Sequence, residues 1–595
     1  MIFYDFEVFK FNNLVVGIDP EKDEPYVIWD NPEALEKLHS QYKEDIWVGF
    51  NSRHYDQYIL KAILCGLSAW ECNDWIINKH QPGWSFSSLL RKIFLINYDV
   101  MPLNSSLKQL EGFQGHNIHE SSVDFRIDRP LTEAEKAETV KYCINDVKET
   151  MNIFLENIND FNALLWLVKE YNFPLSYMSK TKAQISAEIL ECEPKDRGDE
   201  WDLSVLPCIQ LQDKKRWLTV KRKKKKGESS VDDKRVGKVF LRPDEWFLKS
   251  DYQDYRLYFE TEVADVPHVL AWGGIHGGRK QYHYKCTKDY LMIHVDVASY
   301  YPRLMIFHDL LTRNAKHPER FRQIYERRIE LKYAGKKKEQ APLKIVINGT
   351  YGIMKDAMNK AYDPRNANLV CVNGQLMLLD LIEHLQAVNS FELIQSNTDG
   401  LIIKIHRRDF EAVDDICYEW ESRCNMELEF DYISEIFQKD VNNYCFVQFD
   451  GKVERKGAYV KELGPMDNDL PILNKALIDY MLKGIPVETT VNDCDELVMF
   501  QKIGKLTTNY DYVTHNDKKY YNKCFRMFAS TSSFDGPVKK VKLKDGKLRF
   551  DKFANTSQNS FIENGDITGV KIPMRLDKSW YIAEAIKRLE QYGVY

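Results

Sequence analysis

Through about residue 160 the chain alternates two kinds of pattern. MIFYDFEVF, LVVGI and DIWVGF are short and dense in Val, Ile, Phe and Tyr, as buried strands are, whereas LTEAEKAETVKYCINDVKETMNIFLENI repeats its apolar residues every three to four positions, the period of a helix that buries one face. Strands and helices in alternation predict an α/β domain over 1–165. Residues 190–245 are polar, basic and rich in Gly, Ser and Asp, which predicts a connecting, mobile segment. The strand pattern returns at LMIHVDVASYY. Two helices follow, one from Pro318, a residue suited to a first turn, to Ala334-Gly335, the other opening at Pro342. FELIQS and LIIKI flank NTDG, which predicts a hairpin with Asp-Gly in its turn. The last ~130 residues mix short strands with a closing helix, SWYIAEAIKRLEQY, and carry no catalytic pattern.

Composition narrows the class. At roughly 150 residues per domain, 595 residues suggest about four domains. A content of 44% hydrophobic and 29% charged residues excludes wholesale disorder. No apolar run approaches the ~20 residues of a membrane helix, and Asp5 and Glu7 fall where a signal peptide needs a basic, then apolar, start. An intracellular protein with no membrane partner is expected. The 12 cysteines form no CxxC pair, the closest (Cys65/Cys72 and Cys417/Cys424) being seven apart, so buried thiols are expected rather than zinc or disulfides. The net charge of −6 conceals local cations: nine of the thirteen residues from Lys214 to Lys226 are basic, and Lys336, Lys337 and Lys338 form a second cluster. Such stripes bind phosphates while carboxylates gather elsewhere, for instance around metals.

Two carboxylate constellations stand out. Asp5 and Glu7, two apart on a strand, share a face. Side-by-side carboxylates repel, and an oxygen-ligated Mg²⁺ or Mn²⁺ relieves that repulsion. Asn51-Ser-Arg-His-Tyr-Asp56 follows a strand, and Tyr142 and Asp146 sit one helical turn apart on the long helix. Four acids with one Tyr suit a two-metal hydrolase, in which two cations hold the scissile phosphate and Tyr142 orients the attacking water. In the second constellation Asp296 ends a strand and Asp399 sits in the hairpin turn. Lys344, Asn348 and Tyr351 occupy one polar helix face, and Arg328 and Lys332 are i, i+4 on the preceding helix. Two carboxylates for metal ions and two helices presenting cations are what a nucleoside triphosphate requires.

Together these residues resemble a family B DNA polymerase of the phage type with an N-terminal 3′→5′ proofreading exonuclease, from residue 1 to about 460. The resemblance implies an RNase H-like exonuclease domain (1–165), a connecting region with the basic segment and a Gly-rich linker (166–285), and a right-hand polymerase: palm (286–312 and 357–462), fingers (313–356) and thumb (463–595). Asp5, Glu7, Asp56 and Asp146 match the family's D-x-E, N-x₃-[FY]-D and Y-x₃-D metal ligands, with Asn51 and Tyr142 in supporting positions, Asn51 as a DNA contact and Tyr142 as a catalytic residue. Asp296-Val-Ala-Ser-Tyr-Tyr301-Pro resembles D-x-x-S-L-Y-P, which implies metal ligation by Asp296 and the Val297 carbonyl, and a Tyr301 ring under the sugar that selects deoxynucleotides. Lys344-x₃-Asn348-x₂-Tyr351-Gly resembles the fingers motif, with Arg328 and Lys332 as its triphosphate-binding partners. Asn397-Thr-Asp399-Gly400 resembles D-T-D-S. Gly277 and Gly278, in WGGIHGGR, resemble the template-contacting linker, and Lys456-Gly-Ala-Tyr459 the primer-contacting K-x-Y.

There are departures. Asn397 and Gly400 replace the first Asp and the Ser of D-T-D-S, which bears on metal preference, and Lys456 is one residue too far from Tyr459. His119 or Glu120 occupies the region of the exonuclease's auxiliary Lys. Only 41 residues separate Pro302 from Lys344 and 44 separate Gly352 from Asn397, which leaves no room for the insertions of protein-primed polymerases, so no terminal protein is expected. The resemblance further implies two Mg²⁺ (or Mn²⁺) ions per active site, primer-template DNA and dNTPs as partners, with a replisome accessory protein as a further one. A monomer replicating a phage genome in the cytoplasm of a bacterial host is the expectation. The alternatives are a 3′→5′ exonuclease with a decayed polymerase half and a non-enzymatic DNA-binding scaffold.

Overall fold

The computed structural model describes the chain except residues 103–104, 119, 201–202, 213–218, 221–238, 243–244, 248–257 and 272, with backbone alone at 219–220, 239–242, 245–247 and 258–259. His119 and, but for the backbone of Thr219–Val220, the basic 214–226 run lie outside the described residues, as does most of the later part of the expected connecting segment. The fold is mixed α/β and divides into two compact units, each assembled from two stretches: Met1–Thr181 with Glu462–Ala585, and Lys182–Lys461 with Ile586–Tyr595. The 463–595 stretch is thereby split, its last ten residues belonging to the second unit.

The first unit is built on a sheet of β1 (Ile2–Val8), β2 (Asn13–Ile18), β3 (Tyr26–Trp29), β4 (Ile46–Gly49) and β5 (Ile96–Asp99), in the order β3-β2-β1-β4-β5. β1 is antiparallel to β2 and parallel to β4. Alternation along β1 sends Ile2, Tyr4, Phe6 and Val8 into a core with Leu35, Leu38, Trp47 and Ile59. Phe3, Asp5 and Glu7 take the opposite face, where the Phe3 ring meets Phe154 of helix Glu133–Glu156 edge-on at 5.3 Å. That helix starts with a capping box, Thr132 and Glu135, whose carboxylate is also gripped by the Arg129 guanidinium at 2.7 and 2.8 Å.

In the second unit β6 (Thr219–Val220), β7 (Val239–Arg242) and β8 (Glu245–Phe247) form a small antiparallel sheet. Ten further strands form the main sheet: β9 (Tyr258–Val263), β10 (Val266–Ala271), β11 (Gly274–Gly278), β12 (Tyr282–Lys285), β13 (Tyr290–Val297), β14 (Glu392–Asn397), β15 (Gly400–His406), β16 (Leu428–Asp440), β17 (Asn443–Gln448) and β18 (Val453–Lys456). Their order is β18-β17-β16-β13-β15-β14-β11-β10-β9, with β12 beside β16. β13 is therefore central, antiparallel to β15 and β16. Met292, Ile402, Ile433 and Phe446 form a core on one face, and helix Pro364–Leu385 is buried along nearly its whole length.

Two expectations need correction here. The helix expected to open at Pro342 runs from Lys337 to Ile353, with Pro342 inside it. Proline there removes one amide, that facing the Lys338 carbonyl, and its φ is already helical, so Lys337–Ala341 extends the helix upstream. The hairpin turn is Thr398-Asp399 rather than Asp-Gly: Asn397 and Gly400 pair directly, and Thr398 takes the left-handed conformation (φ 56).

Candidate active sites

In the first unit, β1 presents Asp5 and Glu7 toward helix Glu133–Glu156, and donor atoms of Asp5, Glu7 and Cys143 lie within 4.8 Å of one another. Asp56 opens helix Asp56–Leu64, and its Oδ1 accepts the Phe6 N–H at 3.2 Å, tying the helix start to β1 between the two acids. Glu7, Asp56 and Asp146 are buried. Burial, then the neighbouring Asp146 charge, pushes the Asp5 carboxyl up to about 7. Burial and the Asp5 charge raise Glu7 and Asp56 well above the carboxylate range. The Cys143 thiol, raised by burial and Asp5, stays protonated and donates to Asp5 Oδ2 at 3.5 Å. Burial and Asp146 likewise keep the Tyr142 phenol neutral. Asn51 adopts φ 58 in the loop after β4, and its N–H donates to Asp99 Oδ1 (2.9 Å) while that of Arg53 donates to Oδ2 (3.0 Å).

The amine of this site is Lys108, which the sequence pattern did not single out. It lies on helix Leu107–Phe113 and donates to Asp146 Oδ1 and, at 2.9 Å, to Glu111 Oε1, with its Nζ 4.7 Å from the Tyr142 ring centre. Burial disfavours the ammonium, yet Asp146 and Glu111 outweigh it and push Lys108 up to about 12. Burial likewise outweighs the pull of Lys108 on Glu111, which rises to about 8. Glu120 does not serve as its counterpart; its carboxylate accepts the N–H groups of Lys523 (2.7 Å) and Cys524 (2.8 Å). Buried Arg526 fixes the helix, donating to the carbonyls of Gly112 (3.1 Å) and His116 (2.6 Å). With Lys108 committed to Asp146 and Glu111, the raised carboxyls of Asp5, Glu7 and Asp56 fit an oxygen-ligated divalent cation as their counter-charge.

In the second unit Asp296 pairs across β13 with Gly400 on one side and Glu429 on the other. The Val297 N–H donates to the Asp399 carbonyl at 2.8 Å, stitching the hairpin tip to the end of β13. A cavity of about 400 Å³ opens there, lined by Asp296, Tyr301, Arg328, Lys332, Lys344, Asn348, Tyr351 and Asp399, together with Ser299 and Glu429. Burial and then Asp399 push the Asp296 carboxyl up to about 7. Asp399 is open to solvent on its outer side. The protein packed around the rest of it raises its carboxyl, with Lys456 pulling the other way. The Arg328 Nη1 donates to Ser299 Oγ (3.2 Å), and its Nε is buried without a partner. Lys332 is paired with Glu429 at 2.8 Å. Lys344 and Asn348 are exposed, and the Tyr301 and Tyr351 rings meet at 4.6 Å. Paired acids beside cations and an aromatic wall suit a divalent cation and a polyphosphate together.

The remaining residues expected to face DNA are not among those lining this cavity. Gly277 is buried in β11, where a Cβ would strike the His268 ring at 2.2 Å, and a Cβ on Gly278 would meet Gln438 Nε2 at 3.2 Å. Lys456 ends β18, near enough to Asp399 to act on its charge. Tyr459 lies between Lys439 (5.6 Å) and Arg588 (4.4 Å). His276, also not singled out, meets Thr398 Oγ1 at 3.0 Å and supports the hairpin tip. The signal for it was the WGGIHGGR stretch itself.

Comparison with known proteins adds little to this geometry. No family model matches the chain and no curated protein does. Among solved structures, the family B DNA polymerase from the hyperthermophilic archaeon Pyrobaculum calidifontis is similar at a TM-score of 0.40 and 14% identity, over 99% of this chain and 77% of that one. A likeness at that level carries no argument, and the function must rest on the two sites.

Proposed function

We propose that the chain is a template-directed DNA polymerase with a 3′→5′ exonuclease. The observation that carries the reading is the second-unit cavity. Residues far apart in sequence (Asp296 and Tyr301, Arg328 and Lys332, Lys344, Asn348 and Tyr351, and Asp399) line one space of about 400 Å³. Asp296 and Asp399 would hold divalent cations, and the metal supplies charge stabilisation and a more acidic attacking hydroxyl when bound. Arg328, Lys332 and Lys344 neutralise the triphosphate, Lys332 exchanging Glu429 for a phosphate oxygen. Tyr301 forms the floor under the sugar, where its ring excludes a 2′-hydroxyl. In the first unit Asp5, Glu7 and Asp56 suit a divalent cation, while Lys108 orients Asp146 and the neutral Tyr142 orients the attacking water by a hydrogen bond from its hydroxyl. Phosphate-backbone contacts predict DNA binding without sequence preference and with steep salt dependence.

The test is extension of a 5′-labelled primer on a longer template with Mg²⁺, with and without dNTPs. Lengthening with them and shortening without them is expected. Asn397, which stands where the family has Asp and whose Nδ2 is buried without a partner, favours the second reading, an exonuclease with a decayed polymerase half. Shortening in both lanes would establish that reading instead. No change in either lane, with DNA still bound, would leave a scaffold.

A further inference from the structure

One step back along β13 from Asp296, on the same face of the sheet, lies a second set of donors that the polymerase reading leaves unused. His294 and Asp296 are two apart on one strand and so share a face. Asp431 stands opposite His294 on β16, and Glu454 reaches the same place from β18. Donor atoms of His294, Asp431 and Glu454 all lie within 4.8 Å of one another. His294 Nδ1 is buried and has no hydrogen-bond partner. Asp431 Oδ2 forms an ion pair with it at 3.7 Å, longer than an ordinary hydrogen bond. It is within the range of two ligands on one ion, since metal–ligand bonds of about 2.1 Å put neighbouring donors about 3 Å apart and opposite ones about 4.2 Å apart.

We propose that His294, Asp431 and Glu454 form a third divalent-cation site, separate from the Asp296/Asp399 pair. An imidazole with two carboxylates suits Mn²⁺ or Zn²⁺ better than Mg²⁺, which favours oxygen-only donors. The site has a reason to exist in the sheet: Asp431 and Glu454 bring two negative charges toward Asp296 from outside the nucleotide cavity, and a cation between them offsets that charge without occupying the cavity. Protonated His294, acting alone as the counter-charge, is the competing explanation.

Electron paramagnetic resonance of Mn²⁺ titrated into the full chain decides between them, and it reads metal whether or not the chain extends a primer. Bound Mn²⁺ should show nitrogen hyperfine modulation. His294→Gln should abolish that modulation and remove one bound equivalent, and Glu454→Gln should remove the same equivalent while melting at the wild-type temperature. Asp399→Asn should leave the modulation intact. Absence of nitrogen modulation in the wild-type chain would overturn the site, as would an unchanged Mn²⁺ count in Glu454→Gln, which decides the matter if His294→Gln does not fold.

Discussion

Gly400→Ala probes how little room there is beside Asp296 in the proposed polymerase site. A Cβ at position 400 would lie 2.9 Å from Asp296 Oδ1, 3.1 Å from His294 Nε2 and 3.2 Å from the Val295 carbonyl. Ordinary contact begins near 3.4 Å, so the Asp296 oxygen must withdraw by about 0.5 Å, with the imidazole and the carbonyl closing the other directions. Overpacking of this kind costs about 1–3 kcal/mol, and misplacing a reacting group by about 1 Å costs on the order of 10²-fold in rate. Half that displacement at a proposed metal ligand predicts a fall in kcat on the order of tenfold, with the apparent KM for dNTP within about twofold. Gly400→Ser, which restores the D-T-D-S ending, should do no better, because its Cβ meets the same atoms. The assay is single-turnover primer extension at saturating dNTP, with digestion of the same primer in the absence of dNTP as the control for folding. Wild-type extension by Gly400→Ala would refute the packing argument, and so would a loss that appears only in KM.

Three further outcomes follow from the geometry. Lys108→Met removes the amine that orients Asp146, so digestion of a labelled primer should fall about ten- to a hundredfold while extension is unchanged; equal loss of both activities would count against a local role. Asp5 and Asp296 are pushed up to about 7 from an unfolded value of 3.8, so the folded chain binds those protons more tightly and their contribution is fully present at low pH. That contribution is lost as pH rises through about 7, and the rise in Tm on adding Mn²⁺ to chelator-treated protein should be larger at pH 8 than at pH 5. Equal rises would contradict the burial of these acids. Glu429→Gln frees Lys332 from its 2.8 Å ion pair and should lower the apparent KM for dNTP about two- to fivefold, the worth of an accessible pair; steady-state extension kinetics would show the change or its absence.

The parts of both sites that were legible in the sequence are those whose neighbours are local. Asp5 and Glu7 declare themselves by strand period, Tyr142 and Asp146 by helix period, and Arg328/Lys332 and Lys344/Asn348/Tyr351 by helix faces that the structure turns into one cavity. Lys108 was not legible because nothing near it in sequence states that Asp146, 38 residues on, will be its partner. Asp99, His276 and Glu429 were missed for the same reason: each acts through a strand or hairpin that only sheet pairing brings alongside. The hairpin turn was misplaced because Asp-Gly is the stronger local signal, whereas the space beside Asp296 demands Gly400 within the strand. Pro342 misled because proline marks a helix start only when nothing upstream continues the helix.

The grip of Arg526 on Gly112 spans 414 residues, which sets a schedule for biosynthesis. At about 5–20 residues per second, that guanidinium leaves the ribosome about 20–80 s after the helix it holds. Until then the Lys108 helix lacks that clamp, and residues 182–461 must collapse as an insertion between the two stretches of an unfinished unit. A nascent chain that stops short of Arg526 therefore carries Asp5, Glu7 and Asp56 without the clamp on the Lys108 helix, and the proposed nuclease chemistry waits on a residue made late in synthesis.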